Sequence, residues 1–410
     1  MSSTRLDVSA QSHNMQLLGH LDLDGHGNGG EGISLHSSGG RRTLYIAHES
    51  APVNFSVIDV TDPREPRMIA QTRLPHDDVR SNSLHVAGDL MAVAYQTKAP
   101  GGQPAGVELF DISRPGEPRS AGFFDASGPH SRGTHCLWFV DGETVWASTG
   151  LADFEPADPK DDQIVVALDV RDPSHPREAG RWWLPGTRKG DREPPPPRHP
   201  RFDFGYRSHN INVYPRRPDR AYVAYLDGGV VILDIGDRSD IRQVSRLDYH
   251  PPLPGFTHTA LPLFERGLLA VTDESVLDAA EDHPKHLWLM DASVETNVVP
   301  IATAPLPPPE FRTRGGRYGT HNLHENEPVP TAYQSETTLV GAFFNAGVRA
   351  FDIRDHFQPR LSGYFVPEAP PGSRAGAIQI NDVYADERGL IYAIDRFSGG
   401  LYILEFEAWA

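Results

Sequence analysis

The sequence predicts an all-β, seven-bladed propeller on three observations. A short apolar run ending in an acidic residue and leading into a turn recurs seven times. The recurrences lie 52 to 65 residues apart, about the length of one four-stranded blade with its loops. The last copy ends the chain without a following strand, whereas the first is preceded by a strand with no blade of its own.

The copies are FSVIDVTDPREP at Asp59, VELFDISRPGEP at Asp111, IVVALDVRDPSHP at Asp169, VVILDIGDRSD at Asp234, LWLMDASVETN at Asp291, VRAFDIRDHFQP at Asp352 and LYILEFEA, where Glu405 replaces Asp. Two strand-like runs precede each copy and one follows. Blade 3 shows the plan: THCLWFV, TVWASTG, QIVVALDV and REAGRWWLP, separated by turn signals and one longer loop. With 38 Gly, 37 Pro and 38% hydrophobic residues, the composition suits many turns between many short strands. The N-terminal run MQLLGHLDL is expected to complete blade 7, which closes the ring and removes its open edges. This predicts a flexible tail over residues 1–13 and one propeller domain over 14–410.

With strands named A to D from the axis outward, the B-to-C and D-to-A connections emerge on one face. The long segments fall there: 98–106, 151–162, 186–202, 275–285, 306–319 and 367–376, including Pro runs at 194–197 and 307–309. Long loops on one face of a rigid scaffold carry binding or catalysis.

The net charge of −17 excludes nucleic acid and anionic membrane surfaces as partners, since both need a basic face. No run approaches the length of a membrane helix and the start lacks a signal-peptide core. The single Cys136 cannot form an internal disulfide, so a reducing, cytoplasmic compartment is expected, with a small molecule as substrate.

Aligning the A strands produces a column of Asn82, His135, His209, His258, His321 and Asn381, with Ile33 in blade 1. Four consecutive blades thus contribute a histidine from one position. Ring symmetry should aim His135, His209, His258 and His321 at one point near the axis. That arrangement suits a divalent transition metal, Fe(II) first, with Mn, Cu or Zn as other occupants. A ring of neutral or water-bridged imidazoles is the alternative.

His130 and Arg132, in the loop before His135, and Tyr318 are the candidate catalytic side chains. Arg207, Arg374, Arg396 and Tyr206 could hold an anionic or phenolic substrate. Asp273, Glu274, Glu325, Glu327 and Asp382 could support the metal ligands. Strand parity reads His85, His324 and Cys136 as pointing away from the channel. No nucleophile elbow, phosphate-binding loop, dinucleotide fingerprint or HExxH helix is present.

The segments VIDVTDPREP, LFDISRPGEP and ALDVRDPSHP resemble the LVIVD-repeat propellers, which implies the fold rather than a reaction. More remotely, PHSRGTHCLWFVDGETVWASTG and FDFGYRSHNINVY are similar to histidine-bearing segments of the selenium-binding proteins, which include methanethiol oxidases. That resemblance implies an oxidase-like, metal-linked role for His135 and His209, although the lone cysteine departs from that family's pattern. The histidine column also resembles the Fe(II) site of carotenoid cleavage oxygenases, whose sequence motifs are absent. A metal-dependent oxidoreductase is the leading expectation. A metal-assisted lyase or hydrolase and a non-catalytic binding propeller are the alternatives.

Overall fold

The computed structural model describes residues 10–409, whose strands form seven antiparallel sheets arranged as a closed propeller. Blade 3 has the expected plan, with Thr134–Trp138, Thr144–Thr149, Ile164–Asp169 and Arg177–Trp182 from axis to rim. Among the described residues no helix is long and apolar enough to cross a membrane.

The recurring Asp has one job in six blades: its carboxylate accepts the backbone N–H two residues on. Asp59 takes Thr61, Asp111 takes Ser113, Asp169 takes Arg171, Asp234 takes Gly236, Asp291 takes Ser293 and Asp352 takes Arg354. Each bond closes an Asx turn that reverses strand C into strand D. Glu405 stands where no such reversal exists, because blade 7 takes its outer strand, Met15–Leu21, from the other end of the chain. The sequence expectation of closure by MQLLGHLDL therefore matches the structure.

The expected tail divides. Residues 1–9 lie outside the described residues, whereas Ala10–His13 form a further strand paired with Arg360–Pro367 at the rim of blade 6. The inner strand of that blade is short of regular pairing: HNLHENEP meets Thr338–Ala342 through a single bridge, Leu323 with Gly341. The outer fifth position is filled where the inner one is irregular.

Apolar layers between adjacent blades form the core. Leu137, Val145, Ala147 and Val166 of blade 3 pack with Ala92, Ala94, Val107 and Leu109 of blade 2, all at most 2% exposed. Burial of such layers is the main stabilising contribution.

The inner strands carry the feature that matters for function. Thr134 pairs with Thr149 and Cys136 with Ser148, so His135 is an extra residue, a β-bulge. The same slip surrounds His258, between Thr257 and Thr259, and Asn381, between Ile380 and Asp382. In blade 1 the slip is longer by one residue: Gly29 pairs with His48 and Ile33 with Ile46, leaving Gly30, Glu31 and Gly32 between them.

Deleting residues 1–21 removes the outer strands of blades 6 and 7. Thermal denaturation followed by circular dichroism should show a melting temperature lower by on the order of 10 °C and a broader transition. An unchanged melt would mean that N-terminal closure contributes nothing.

Candidate metal centre

At His209 and His321 the backbone bonds repeat the two-against-one pattern: His209 N–H donates to Ala224 O while Ala224 N–H donates to Asn210 O, and His321 N–H donates to Ala342 O while Ala342 N–H donates to Asn322 O. The four histidine rings meet in blade order. Ring centroids are 4.7 Å apart for His135 and His209, 3.8 Å for His209 and His258, and 4.4 Å for His258 and His321. His321 also stacks on Phe344 at 4.6 Å.

At the centre stands a carboxylate that sequence alignment missed. Glu31 Oε2 lies 3.7, 3.5 and 3.7 Å from Nε2 of His135, His209 and His258, and Oε1 lies 3.6 Å from Nε2 of His321. Ile33 does not occupy this column, because the longer bulge of blade 1 puts Glu31 there. The flanking glycines are required by close approach. A Cβ on Gly30 would lie 2.5 Å from Asn82 O, and one on Gly32 would lie 2.4 Å from Leu84 N. The available signal was a charged residue within GGEG in the one blade whose column held no polar side chain.

Three of the four imidazoles have an oxygen close to Nδ1. For His209 it is Asn210 Oδ1 at 2.7 Å and for His321 the Asn381 carbonyl at 2.5 Å, whereas His135 Nδ1 lies 3.0 Å from Gln96 Oε1 and 3.1 Å from the Arg80 guanidinium, which donates to it if that nitrogen carries the lone pair. His258 has Thr259 Oγ1 at the longer 3.3 Å. At His209 and His321 these acceptors can hold the Nδ1 proton, which leaves the Nε2 lone pair facing inward, the tautomer a metal requires. The inward atoms lack partners: His258 Nε2, His321 Nε2 and Glu31 Oε2 are buried without a hydrogen bond. His135 Nε2 and His209 Nε2 stand 2.9 Å apart. Two inward lone pairs at that distance repel unless a proton or cation lies between them.

Electrostatics point the same way. Burial, reinforced by His258, lowers His209 to about 3, and burial likewise holds His135 and His258 below the ordinary imidazole range, so these rings are neutral at pH 7. Burial pushes Glu274 up, but His321, Arg317 and His258 together draw it down to about 2. Its oxygens lie 3.7 Å from His258 Nε2, 3.6 Å from His321 Nε2 and 2.5 Å from Arg317. Groups from Glu31, Glu274 and the four histidines fall within 4.8 Å of one another in threes, so these buried residues could hold a metal ion. The donor set is neutral imidazole with carboxylate, which fits a divalent transition metal.

The other candidates are exposed or already engaged by neighbouring groups. His130 is 42% exposed and sits 3.8 Å from Glu155, outside the ring. Arg132 grips Asp162 at 2.6 and 3.0 Å. Tyr318 is buried and its hydroxyl donates to Pro307 O at 2.5 Å; Tyr206 does the same to Pro197 O. Both tyrosines thereby pin the proline-rich loops, and neither hydroxyl is free to move a proton. Arg374 is exposed, and Asp273 is spent on Tyr249 and Trp288.

His324 packs between blades as expected, bonded to Tyr333 O and Ala385 N. His85 packs on Trp138 of blade 3, ring centroids 5.4 Å apart, as expected, and also borders a small cavity of about 20 Å³ below the ring. Cys136 does not follow parity: it lines that cavity, because the bulge resets the alternation of its strand. Cys136 is buried and its thiol is pushed well up by that burial, which leaves it unreactive.

Glu325, Glu327 and Asp382 line the same cavity. Glu325 accepts from Asn210 at 2.7 Å and Asn212 at 2.9 Å, so it orients the amide that serves His209. Burial, with Glu325 nearby, raises Glu327 to about 8 from the usual 4.5. A carboxyl raised on folding costs nothing below its unfolded value, destabilises increasingly as pH climbs from there to the folded value, and adds no further penalty above it. Glu327→Gln should therefore match the wild type near pH 4 to 5 and exceed it at pH 9 by up to about 4 kcal/mol, measured by denaturant unfolding across pH. Gly30→Ala, which drives a methyl into the Asn82 carbonyl, should cost roughly 2 kcal/mol or more in the same assay.

Residues 219–248 match the LVIVD repeat. They span strands B, C and D of blade 4, Arg220–Ala224, Val230–Asp234 and Arg242–Leu247. No curated protein matches the chain. The chain is thus a seven-bladed propeller carrying an LVIVD repeat, with a buried histidine and glutamate cluster on its axis.

Proposed function

We propose that the chain is a metal-dependent oxidoreductase, oxygenase- or oxidase-like, that acts on a small organic substrate at the four-histidine ring. The supporting observation is the convergence of unpartnered acceptors: His258 Nε2, His321 Nε2 and Glu31 Oε2 are buried, unbonded and aimed at the shared centre. Leaving such atoms unsatisfied costs about 1–3 kcal/mol each, which an ion would offset.

Four imidazoles would fill a tetrahedral zinc ion and leave no open position, whereas a five- or six-coordinate ion keeps one or two. This favours Fe(II) over Zn; Mn and Cu are compatible with the same donors. Fe(II) held by His135, His209, His258, His321 and Glu31 would supply dioxygen activation. The protein's own part is positional. Asn210 and the Asn381 carbonyl hold the Nδ1 protons of His209 and His321, and Gln96 with Arg80 fixes the plane of His135. Glu274 keeps negative charge beside His258 and His321 while Arg317 holds it in place. Tyr206 and Tyr318 tie down the proline-rich loops through the Pro197 and Pro307 carbonyls.

Elemental analysis of untagged protein is the test. One equivalent of Fe or Cu is expected, falling to background in His209→Ala and His258→Ala, and affinity should drop roughly 10-fold or more in Glu31→Gln. Stoichiometric Zn or Ca would overturn the redox reading in favour of a lyase or hydrolase. Absence of any metal in protein reconstituted with Fe(II) would leave a binding propeller.

A further inference from the structure

The mouth of the ring is charged unlike the rest of the chain. The net charge is −17, yet the guanidinium groups of Arg80, Arg132, Arg207, Arg317 and Arg396 gather beside the histidines. Four of them are answered. Arg80 and Arg396 share Glu49, each at 2.5 Å, Arg317 holds Glu274, and Arg132 takes both oxygens of Asp162.

Arg207 is the exception. Its nearest carboxylate is Asp162 at 3.8 Å, already engaged by Arg132, and its Nε is buried with no partner. It stands two residues before His209, and its charge reaches His135. His135 is the least buried of the four rings, at 14% against 2% or less for the others, so this is the open side of the centre. A second unsatisfied group belongs to the same ring of positions. Asn82 takes in blade 2 the column place of the histidines, is fully buried, and has both ends of its carboxamide unbonded.

A buried guanidinium N–H and a buried carboxamide left without partners are costly unless a ligand completes them. One free guanidinium fork matches one carboxylate in bidentate geometry, whereas a phosphate dianion calls for further free cations that the paired arginines do not offer. We propose that Arg207 and Asn82 bind the anionic head of the substrate, and that the substrate is a small organic acid carrying a carboxylate. The proposal deepens the oxidoreductase reading and rests on it for the reaction, but the anion site itself needs no metal.

Titration calorimetry with benzoate, benzamide and inorganic phosphate, on metal-loaded and metal-free protein, tests it. Benzoate should bind both forms, benzamide at least about tenfold more weakly. Arg207→Gln should lose benzoate binding by at least about tenfold with metal content unchanged, and Arg207→Lys should retain part of it. Arg374→Gln, an exposed arginine of the same face, should bind as the wild type does. If Arg207→Gln fails to fold, Asn82→Leu serves, with a weaker loss expected. Equal binding of benzamide, tighter binding of phosphate, or undiminished benzoate binding in Arg207→Gln would overturn the proposal. A wild-type protein that binds benzoate but takes up no metal would overturn the oxidoreductase reading alone.

Discussion

The structure depends on one local irregularity repeated around a ring: a β-bulge at the entry of the inner strand. A regular strand would alternate its side chains between the two faces of each blade. The extra residue escapes that alternation and projects to the axis. Repetition by blade turns a local defect into four imidazoles around a carboxylate, with ring centroids 3.8 to 4.7 Å apart between neighbours. Neither a helix terminus nor a single loop is involved; the rigidity comes from apolar layers between blades on either side.

The site carries opposing charges at close quarters, and burial decides their states. Desolvation keeps the imidazoles of His135, His209 and His258 neutral, which makes them donors of electron pairs rather than cations. Around them, arginine and glutamate alternate: Arg317 with Glu274, Arg80 and Arg396 with Glu49. Below the ring the balance reverses, since Glu325, Glu327 and Asp382 line the cavity and burial raises all three. The axis is therefore lined by arginines at its mouth, by imidazoles around the Glu31 carboxylate at the ring, and by carboxyl groups beneath it.

The fold was legible because the repeat is physical. Each Asp of the repeat closes an Asx turn, so the motif marks a chain reversal and not merely a similar word, and its loss at Glu405 coincides with the one blade that needs no such turn. The histidine column was legible for the same reason, as register follows from repetition. Glu31 was not, because blade 1 has one more bulged residue than its neighbours and alignment by the first apolar residue lands on Ile33. Cys136 was misread by parity, which a bulge breaks. Tyr318 and His130 were near the right loops, but a hydroxyl spent on a carbonyl and an exposed imidazole beside Glu155 show no part in the ring.

By itself, the amino-acid order determined the number of blades, the closure by the N-terminal strand and the four histidines in register, since each of these is a periodic property that survives translation along the chain. Only the tertiary structure decided that Glu31 sits among them, that Arg207 and Asn82 are left unanswered, and which arginines are already paired. Those are distances between blades far apart in sequence. Coulomb and hydrogen-bond energies change over an ångström or two, a scale that no spacing in the sequence encodes.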